Sequence, residues 1–177
     1  MSKEIRLKKG LTINLVGEAE KIYASVKATD HYVVKPTDFH GLTPKLTIKV
    51  GDKVKAGTPL FFDKSNDKVN FCSPVSGEVV DIVRGAKRKV LEIVLKADAE
   101  ITYEAFTTAA SLSREQIIET MLKAGVWPFV RQKPYDIIAN PTDMPKAIFI
   151  STFNSAPLSI DNDFALYGTD ELFQTGL

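Results

Sequence analysis

The chain has 177 residues, of which 44% are apolar and 25% are charged, and its formal net charge is +1. This balance excludes a global field that would draw the protein to nucleic acid or to an anionic membrane. The apolar runs stay well short of the roughly 20 residues that cross a bilayer. Cys72 is the only cysteine, which excludes an internal disulfide and a zinc site of several cysteines. The first residues lack the apolar core of a signal peptide, so we expect a reducing compartment.

The first half of the chain predicts short strands separated by turns. Apolar residues alternate with polar ones in Lys3–Leu15 and in Lys45–Val50, which is typical of half-buried strands. Further strands are predicted around Tyr32–Val34 and over Pro59–Asp63, Lys68–Cys72, Gly77–Val83 and Lys89–Leu95, with a polar tip at Ser65–Asp67.

The stretch from Ile48 to Val90 is the most informative part of the sequence. Two short apolar segments flank a polar tip, and each segment is bounded by its own glycine turn. This pattern predicts a barrel-sandwich hybrid of the kind that carries lipoyl or biotinyl arms, in a mainly β fold with an α+β remainder. We expect this module, with its N-terminal strands, to occupy residues 1–104.

The pattern changes after Asp98. Ser113 and Gln116 are spaced as a capping box, apolar residues then follow at helical spacing, and Gly125 supplies a stop. These signals predict a helix over Ser113–Ala124, within a helical, Pro- and aromatic-rich linker at 105–142. The run Ala147–Ser151 predicts a buried strand, and a short helix is expected near Asp170–Gln174. Residues 143–177 therefore suggest the start of a truncated α/β domain.

Several motifs join these elements into one recognisable order. They are IRLKKGL at Ile5–Leu11, GDKVKAGTPLFFDK at Gly51–Lys64, VNFCSPVSG at Val69–Gly77, VRGAKR at Val83–Arg88, GVWPFVRQKPY at Gly125–Tyr135, AIFI at Ala147–Ile150 and NSAPL at Asn154–Leu158. Together they resemble NqrA, the A subunit of the bacterial Na+-translocating NADH:quinone reductases (Na+-NQR), a family related to the C subunit of the Rnf complexes.

The resemblance implies a peripheral protein on the cytoplasmic side of the bacterial inner membrane, docked on membrane and flavin-bearing subunits. The complex of that family uses NADH, flavins, iron centres and quinone, and it transports Na+. For this chain the resemblance implies an accessory role in a translocating oxidoreductase, with quinone contact but no bound cofactor, no catalysis by itself and no nucleic-acid partner. Members of the family are more than twice as long as this chain, which agrees with a truncated second domain.

Motif absences agree with an accessory role. No two glycines are spaced as in G-x-G, so the dinucleotide fingerprint is missing, and the sequence has no P-loop, C-x-x-C or G-x-S-x-G motif. We therefore assign no catalytic residue and no NADH oxidation to these residues.

The segment from Trp127 to Tyr135 is the favoured functional surface. A quinone site needs flat apolar walls and one or two hydrogen-bond donors for the carbonyls. Trp127, Phe129 and Tyr135 could supply the walls and Arg131 the donor. Two alternatives remain for the segment, an interdomain connector whose rings pack on the barrel and a surface for partner docking.

A cluster of cations offers a second candidate surface. Arg84, Lys87, Arg88 and Lys89 form what we call the basic loop, which could hold a nucleotide phosphate or a lipid head group. The alternative is a solvated hairpin loop. An oligonucleotide-binding barrel that uses this loop is a further hypothesis, for which salt-dependent binding is expected.

A carrier domain bearing lipoyl or biotin is the other alternative function. Its lysine would stand at a hairpin tip, and Lys64 and Lys68 are the candidates. Neither has the carrier spacing of about eight residues to the Ser-Pro element, so we favour a carrier-like scaffold without its arm.

His31 and His40 are nine residues apart without a third ligand in view, so no metal site is predicted. Cys72 is predicted to be a buried small hydrophobe.

Overall fold

The computed structural model describes residues 6, 8, 10, 13, 15–17, 20–25, 27–106, 112–151, 154 and 156–176. The chain divides into two compact units, one formed by Met1–Val26 with Pro145–Leu177 and the other by Lys27–Met144. The domain boundaries expected after residues 104 and 142 stay a prediction. The strand predicted at Lys3–Leu15 lies largely outside the described residues.

The unit Lys27–Met144 contains two facing β-sheets and a small ribbon. Its strands are β1 His31–Val34, β2 Pro44–Leu46, β3 Lys53–Val54, β4 Pro59–Asp63, β5 Asn66–Cys72, β6 Gly77–Arg84, β7 Val90–Ala97, β8 Arg131–Gln132 and β9 Ile137–Ile138. One sheet has the strand order β1-β7-β6-β3 and the other has the order β2-β4-β5, while β8 and β9 pair with each other. All these pairs are antiparallel, as expected for strands joined by short turns.

The core lies between the two sheets, since both contribute fully buried side chains. Leu60 and Phe61 come from β4, and Val79, Ile93 and Leu95 come from β6 and β7. Phe61 and Phe71, which are cross-strand partners in β4 and β5, stack with ring centroids 4.6 Å apart. This burial is the main source of stability for so short a set of strands.

Helix α1, Arg114–Lys123, begins as the sequence predicts. The Gln116 backbone N–H donates to Ser113 Oγ at 3.3 Å, and the Ser113 backbone N–H donates to Gln116 Oε1 at 2.8 Å. The capping box is therefore confirmed. The helix packs against β5 and buries Leu122 in the core, which places it along the edge strand of the smaller sheet.

Three predicted elements differ in the structure. The strand predicted over Lys45–Val50 ends at Leu46, because the chain leaves β4 after the bond from the Thr47 N–H to the Leu60 carbonyl at 3.0 Å. The tip predicted at Ser65–Asp67 lies earlier, at Lys64 and Ser65, and Asn66 already belongs to β5.

The strand predicted at Ala147–Ser151 is not formed, and Ile148, Phe149 and Ile150 are 59% to 91% exposed. A strand requires a neighbour for its backbone groups, and no strand of the described residues pairs with this run.

The unit of Met1–Val26 and Pro145–Leu177 contains two helices, α2 Asn162–Ala165 and α3 Asp170–Gly176. Helix α3 confirms the short helix predicted near Asp170. Tyr23 stacks on Phe164 at 4.7 Å, and Lys21 forms an ion pair with Asp161 whose hydrogen bond lowers the pKa of that carboxyl. Among the helices that the structure describes, none has the length and apolar character needed to cross a membrane.

Candidate functional site

The favoured segment forms a tight turn followed by the β8–β9 ribbon. Trp127–Phe129 is a 3-10 turn, and Arg131 and Gln132 pair with Ile138 and Ile137. Phe129 and Tyr135 are 73% and 74% exposed, so two of the three predicted ring walls face solvent. The segment therefore presents flat apolar groups on a backbone that hydrogen bonds hold in place.

Trp127 lies in the core, where only 8% of its surface is exposed. Its indole Nε1 donates a hydrogen bond to the Ala139 carbonyl oxygen at 2.7 Å. A buried indole N–H usually has such a partner. Trp127 therefore connects the turn to the chain that follows β9, which is the contact expected of a residue that packs the segment onto the barrel.

Replacing Trp127 by Phe is expected to lower the free energy of unfolding by about 2 kcal/mol, because the Ala139 carbonyl loses its donor and the smaller ring leaves space in the core. Urea unfolding followed by far-UV circular dichroism measures the loss. A change below about 0.5 kcal/mol would mean that the indole hydrogen bond contributes nothing to the fold.

Arg131 is directed towards its own ribbon. Its guanidinium donates to the Asp136 carbonyl oxygen, and Nε lies 3.6 Å from the Asp136 carboxylate. Lys133 Nζ donates to the same carboxylate at 2.8 Å, and this bond is the main reason why the pKa of Asp136 is lowered. The two cations thus brace the turn that carries Tyr135, and a ligand carbonyl would have to share Arg131 with Asp136.

Phe129 marks the outer end of a row of aromatic rings. Its ring centroid lies 6.2 Å from that of Phe39, which lies 4.7 Å from Phe71 in an edge-to-face arrangement. Phe71 in turn stacks on the buried Phe61. The exposed ring therefore rests against rings that continue into the core, which restricts its motion.

The basic loop forms the end of the β6–β7 hairpin. Its four cations are exposed, and the turn is closed by the bond from the Gly85 N–H to the Lys89 carbonyl at 2.8 Å. Arg84 Nη1 donates to the Arg88 carbonyl oxygen at 3.2 Å. Arg84, Lys87, Arg88 and Lys89 are therefore brought together as the sequence suggests, at one end of the larger sheet.

A groove between β5 and α1 was not anticipated from the sequence. It has a volume of about 580 Å³ and is lined by Lys68 and Asn70 from β5 and by Arg114 and Glu119 from α1, among others. The available signal was the alternation in β5, which puts Lys68 and Asn70 on one face and the buried Val69 and Phe71 on the other. Only the packing of α1 shows that this polar face borders a groove.

The two candidate carrier lysines occupy different positions. Lys64 lies in the two-residue turn between β4 and β5, whereas Lys68 lies within β5 and lines the groove. Lys64 is therefore the one at a hairpin tip. The carboxylate of Asp63 accepts hydrogen bonds from the Ser65 backbone N–H and side-chain hydroxyl at 3.1 and 2.6 Å, which orders this turn.

The remaining candidates are dispersed. His31 and His40 are exposed, and the described part of the chain holds no cluster of three or more metal-ligating side chains. Cys72 is half-buried, and its Sγ lies 3.5 Å from the Lys123 carbonyl oxygen as a donor. Burial raises the pKa of the Cys72 thiol from 9.0 to about 11.

Alkylation of Cys72 by iodoacetamide is expected to be about a hundredfold slower in the folded chain than in the unfolded chain at neutral pH, because the thiolate is the reactive form. Its rate should rise towards pH 11. The folded chain holds the thiol proton more tightly than the unfolded chain, so stability is expected to fall as the pH rises from about 9 to about 11. Half-maximal reactivity near pH 9 in the folded chain would contradict the burial effect.

Comparison with known proteins gives matches along most of the chain. Residues 5–98 match the family described as NqrA N-terminal barrel-sandwich hybrid domain, and residues 112–177 match the NqrA second alpha/beta domain. The first match confirms the barrel-sandwich hybrid that the sequence predicts.

Curated relatives carry the name of the A subunit of Na(+)-translocating NADH-quinone reductase. Those of Pseudomonas aeruginosa and Vibrio vulnificus are 31% identical over 177 residues, and that of Tolumonas auensis is 35% identical over 178 residues. Each alignment covers 98% of this chain and 40% of the relative. The chain thus spans about 40% of the length of the curated relatives it matches, and the predicted resemblance is confirmed.

Proposed function

Because the chain belongs to the NqrA N-terminal barrel-sandwich hybrid domain family, we propose that it acts as the N-terminal part of the A subunit in a Na+-translocating NADH:quinone oxidoreductase. The observation that carries this proposal is the pair of family matches in the expected order, over residues 5–98 and 112–177. Relatives at 31% and 35% identity across 98% of the chain support it.

In this proposal the chain assembles on the cytoplasmic side with membrane and flavin-bearing subunits, which carry out electron transfer and Na+ transport. Its own contribution is a rigid platform: two sheets with a common core and a ribbon that displays aromatic rings. Folded scaffolds of this type are reused for different functions, so the role is assigned from the family and the surface rather than from the barrel alone.

The contact surface in the proposal is the ribbon with Phe129 and Tyr135. Both rings are about three-quarters exposed, and exposed aromatic side chains on an ordered backbone are frequent in partner and quinone contacts. Trp127 fixes the segment from below, and Arg131 holds its turn through Asp136. These four residues therefore divide into two that touch the quinone or the partner and two that position them.

Co-purification tests the assembly. The tagged chain is expressed in the cells that encode it, the membranes are dissolved in mild detergent, and retained proteins are examined for flavin-bearing membrane subunits. We expect retention of these subunits together with NADH:quinone reductase activity. Recovery of the chain alone, with the reductase activity left in the unbound fraction, would contradict the proposal.

A variant pair tests the contact surface. Phe129→Ala combined with Tyr135→Ala is expected to lower retention of the complex, or labelling of the chain by a photoreactive quinone, at least tenfold, as for loss of a hot spot worth about 1.4 kcal/mol or more. Tyr103→Ala is the matched control, because Tyr103 is 72% exposed elsewhere in the same unit. Equal effects in the pair and in the control would remove the ribbon from the proposal.

One observation favours a second candidate function. Lys64 stands in the hairpin turn where a carrier domain presents its modified lysine. Co-expression with lipoate or biotin ligase followed by intact mass measurement decides between the two. An unmodified mass leaves the armless platform in place, whereas an added prosthetic group lost in Lys64→Arg would establish a carrier.

A further inference from the structure

The basic loop combines high positive charge with an unusual backbone. Lys87 and Arg88 have φ angles of 55° and 60°, in the left-handed region that glycine adopts without strain. Two successive cations therefore occupy positions at which glycine would relax the chain. Backbone strain of this kind persists where the surrounding structure over-determines it and is concentrated at functional sites.

The strained turn is held by hydrogen bonds at its base. The Arg88 and Lys89 backbone N–H groups donate to the Gly85 and Ala86 carbonyls at 3.1 and 3.2 Å, and Arg84 reaches the Arg88 carbonyl. The cationic ends of Lys87, Arg88 and Lys89 are thus carried outward on an ordered turn rather than on a loose one.

The positive charge of the loop is not balanced within the unit. Asp81 accepts a hydrogen bond from the Ile82 backbone N–H at 2.7 Å, and Glu92 pairs with Lys35 at 3.4 Å. No ion pair in the described part of the chain joins the basic loop to a carboxylate. Mutual repulsion of four cations favours an external anion that bears several negative charges.

We propose that the basic loop binds the phosphate groups of anionic phospholipids at a bilayer surface. The loop is a projecting hairpin end, and neither groove found among the described residues includes it, so a flat array of phosphates fits it better than one enclosed phosphate does. Residues 84–89 contain no aromatic side chain, whereas single-stranded nucleic acid is usually held by stacking on such rings. The proposal goes beyond subunit assembly and does not depend on it.

Vesicle co-sedimentation of the full chain tests the proposal. The vesicles contain phosphatidylcholine with a minor fraction of phosphatidylglycerol, and pure phosphatidylcholine vesicles provide the neutral comparison. Each Lys or Arg near an anionic surface strengthens binding about fivefold, so Arg84→Gln with Lys87→Gln and Arg88→Gln should weaken binding about a hundredfold. Added salt should weaken binding of the unaltered chain.

Two further variants make the test specific. Lys49→Gln with Lys53→Gln and Lys96→Gln removes the same charge from exposed positions away from the loop, two of them at the opposite end of the larger sheet, and should change binding by less than about threefold. Lys87→Gly with Arg88→Gly removes two charges and relaxes the backbone, so binding should fall about 25-fold while the urea midpoint stays constant or rises.

Three results would overturn the proposal. One is equal loss in the loop variant and the distant control, which would mean that net charge alone matters. Another is equal binding to neutral and anionic vesicles. The third is tighter binding to a single-stranded oligonucleotide than to anionic vesicles in the same buffer, which would assign the loop to nucleic acid instead.

Discussion

Gly77→Ala is expected to lower the free energy of unfolding by about 4 kcal/mol, the largest effect of any single glycine replacement in the unit Lys27–Met144. A Cβ at this position would lie 2.0 Å from the Lys96 carbonyl oxygen and 2.8 Å from its carbon. Both atoms belong to the backbone of β7, so relief requires β6 and β7 to separate where Gly77 pairs with Ala97. Urea unfolding followed by the fluorescence of Trp127, the only tryptophan, measures the change.

Gly51→Ala is the matched control for this prediction. Gly51 also has a positive φ, +92°, but a Cβ there would meet nothing within 4 Å. Only the backbone strain remains, and we expect a loss of about 1 kcal/mol. If the two variants lose the same stability, the close approach of β6 to the Lys96 carbonyl does not exist in solution.

Phe61→Ala is expected to cost about 4 kcal/mol. The ring is fully buried between the sheets and stacks on Phe71, so its removal leaves a cavity and ends the aromatic contact. The same fluorescence measurement gives the shift of the urea midpoint. The slope of the transition should stay constant, because the surface exposed on unfolding changes little.

Phe129→Ala provides the comparison for Phe61, since it is the same substitution at a ring that is 73% exposed. We expect a change within about 0.5 kcal/mol, as for other surface positions. A loss approaching that of Phe61→Ala would show that Phe129 packs as a core residue. Its place in the proposed contact surface would then have to be abandoned.

These two comparisons separate the roles of the aromatic residues. Phe61 and Trp127 stabilise the unit from inside, whereas Phe129 and Tyr135 are available to a quinone or a partner. The predicted set of four site residues thus contains one core residue and, in Arg131, one residue engaged by its own ribbon. The sequence could not distinguish them, because a Pro-rich irregular segment has no periodicity from which burial can be deduced.

Local signals accounted for much of the fold. The capping box at Ser113 and the stop at Gly125 located α1 within about one residue, since caps depend on groups close in sequence. Alternation located β4, β6 and β7 to a similar accuracy. The run Ala147–Ser151 shows the limit of this reasoning, because an apolar stretch becomes a strand only when another strand hydrogen-bonds to it.

The order of motifs along the chain was sufficient by itself to indicate the family and the barrel-sandwich hybrid, because glycine turns and alternating segments encode hairpins locally. Tertiary structure alone decided which aromatic rings are buried, that β5 and α1 border a groove, and that four cations occupy one ordered hairpin end. Those properties depend on contacts between residues distant in sequence, and such contacts follow from packing rather than from local propensity.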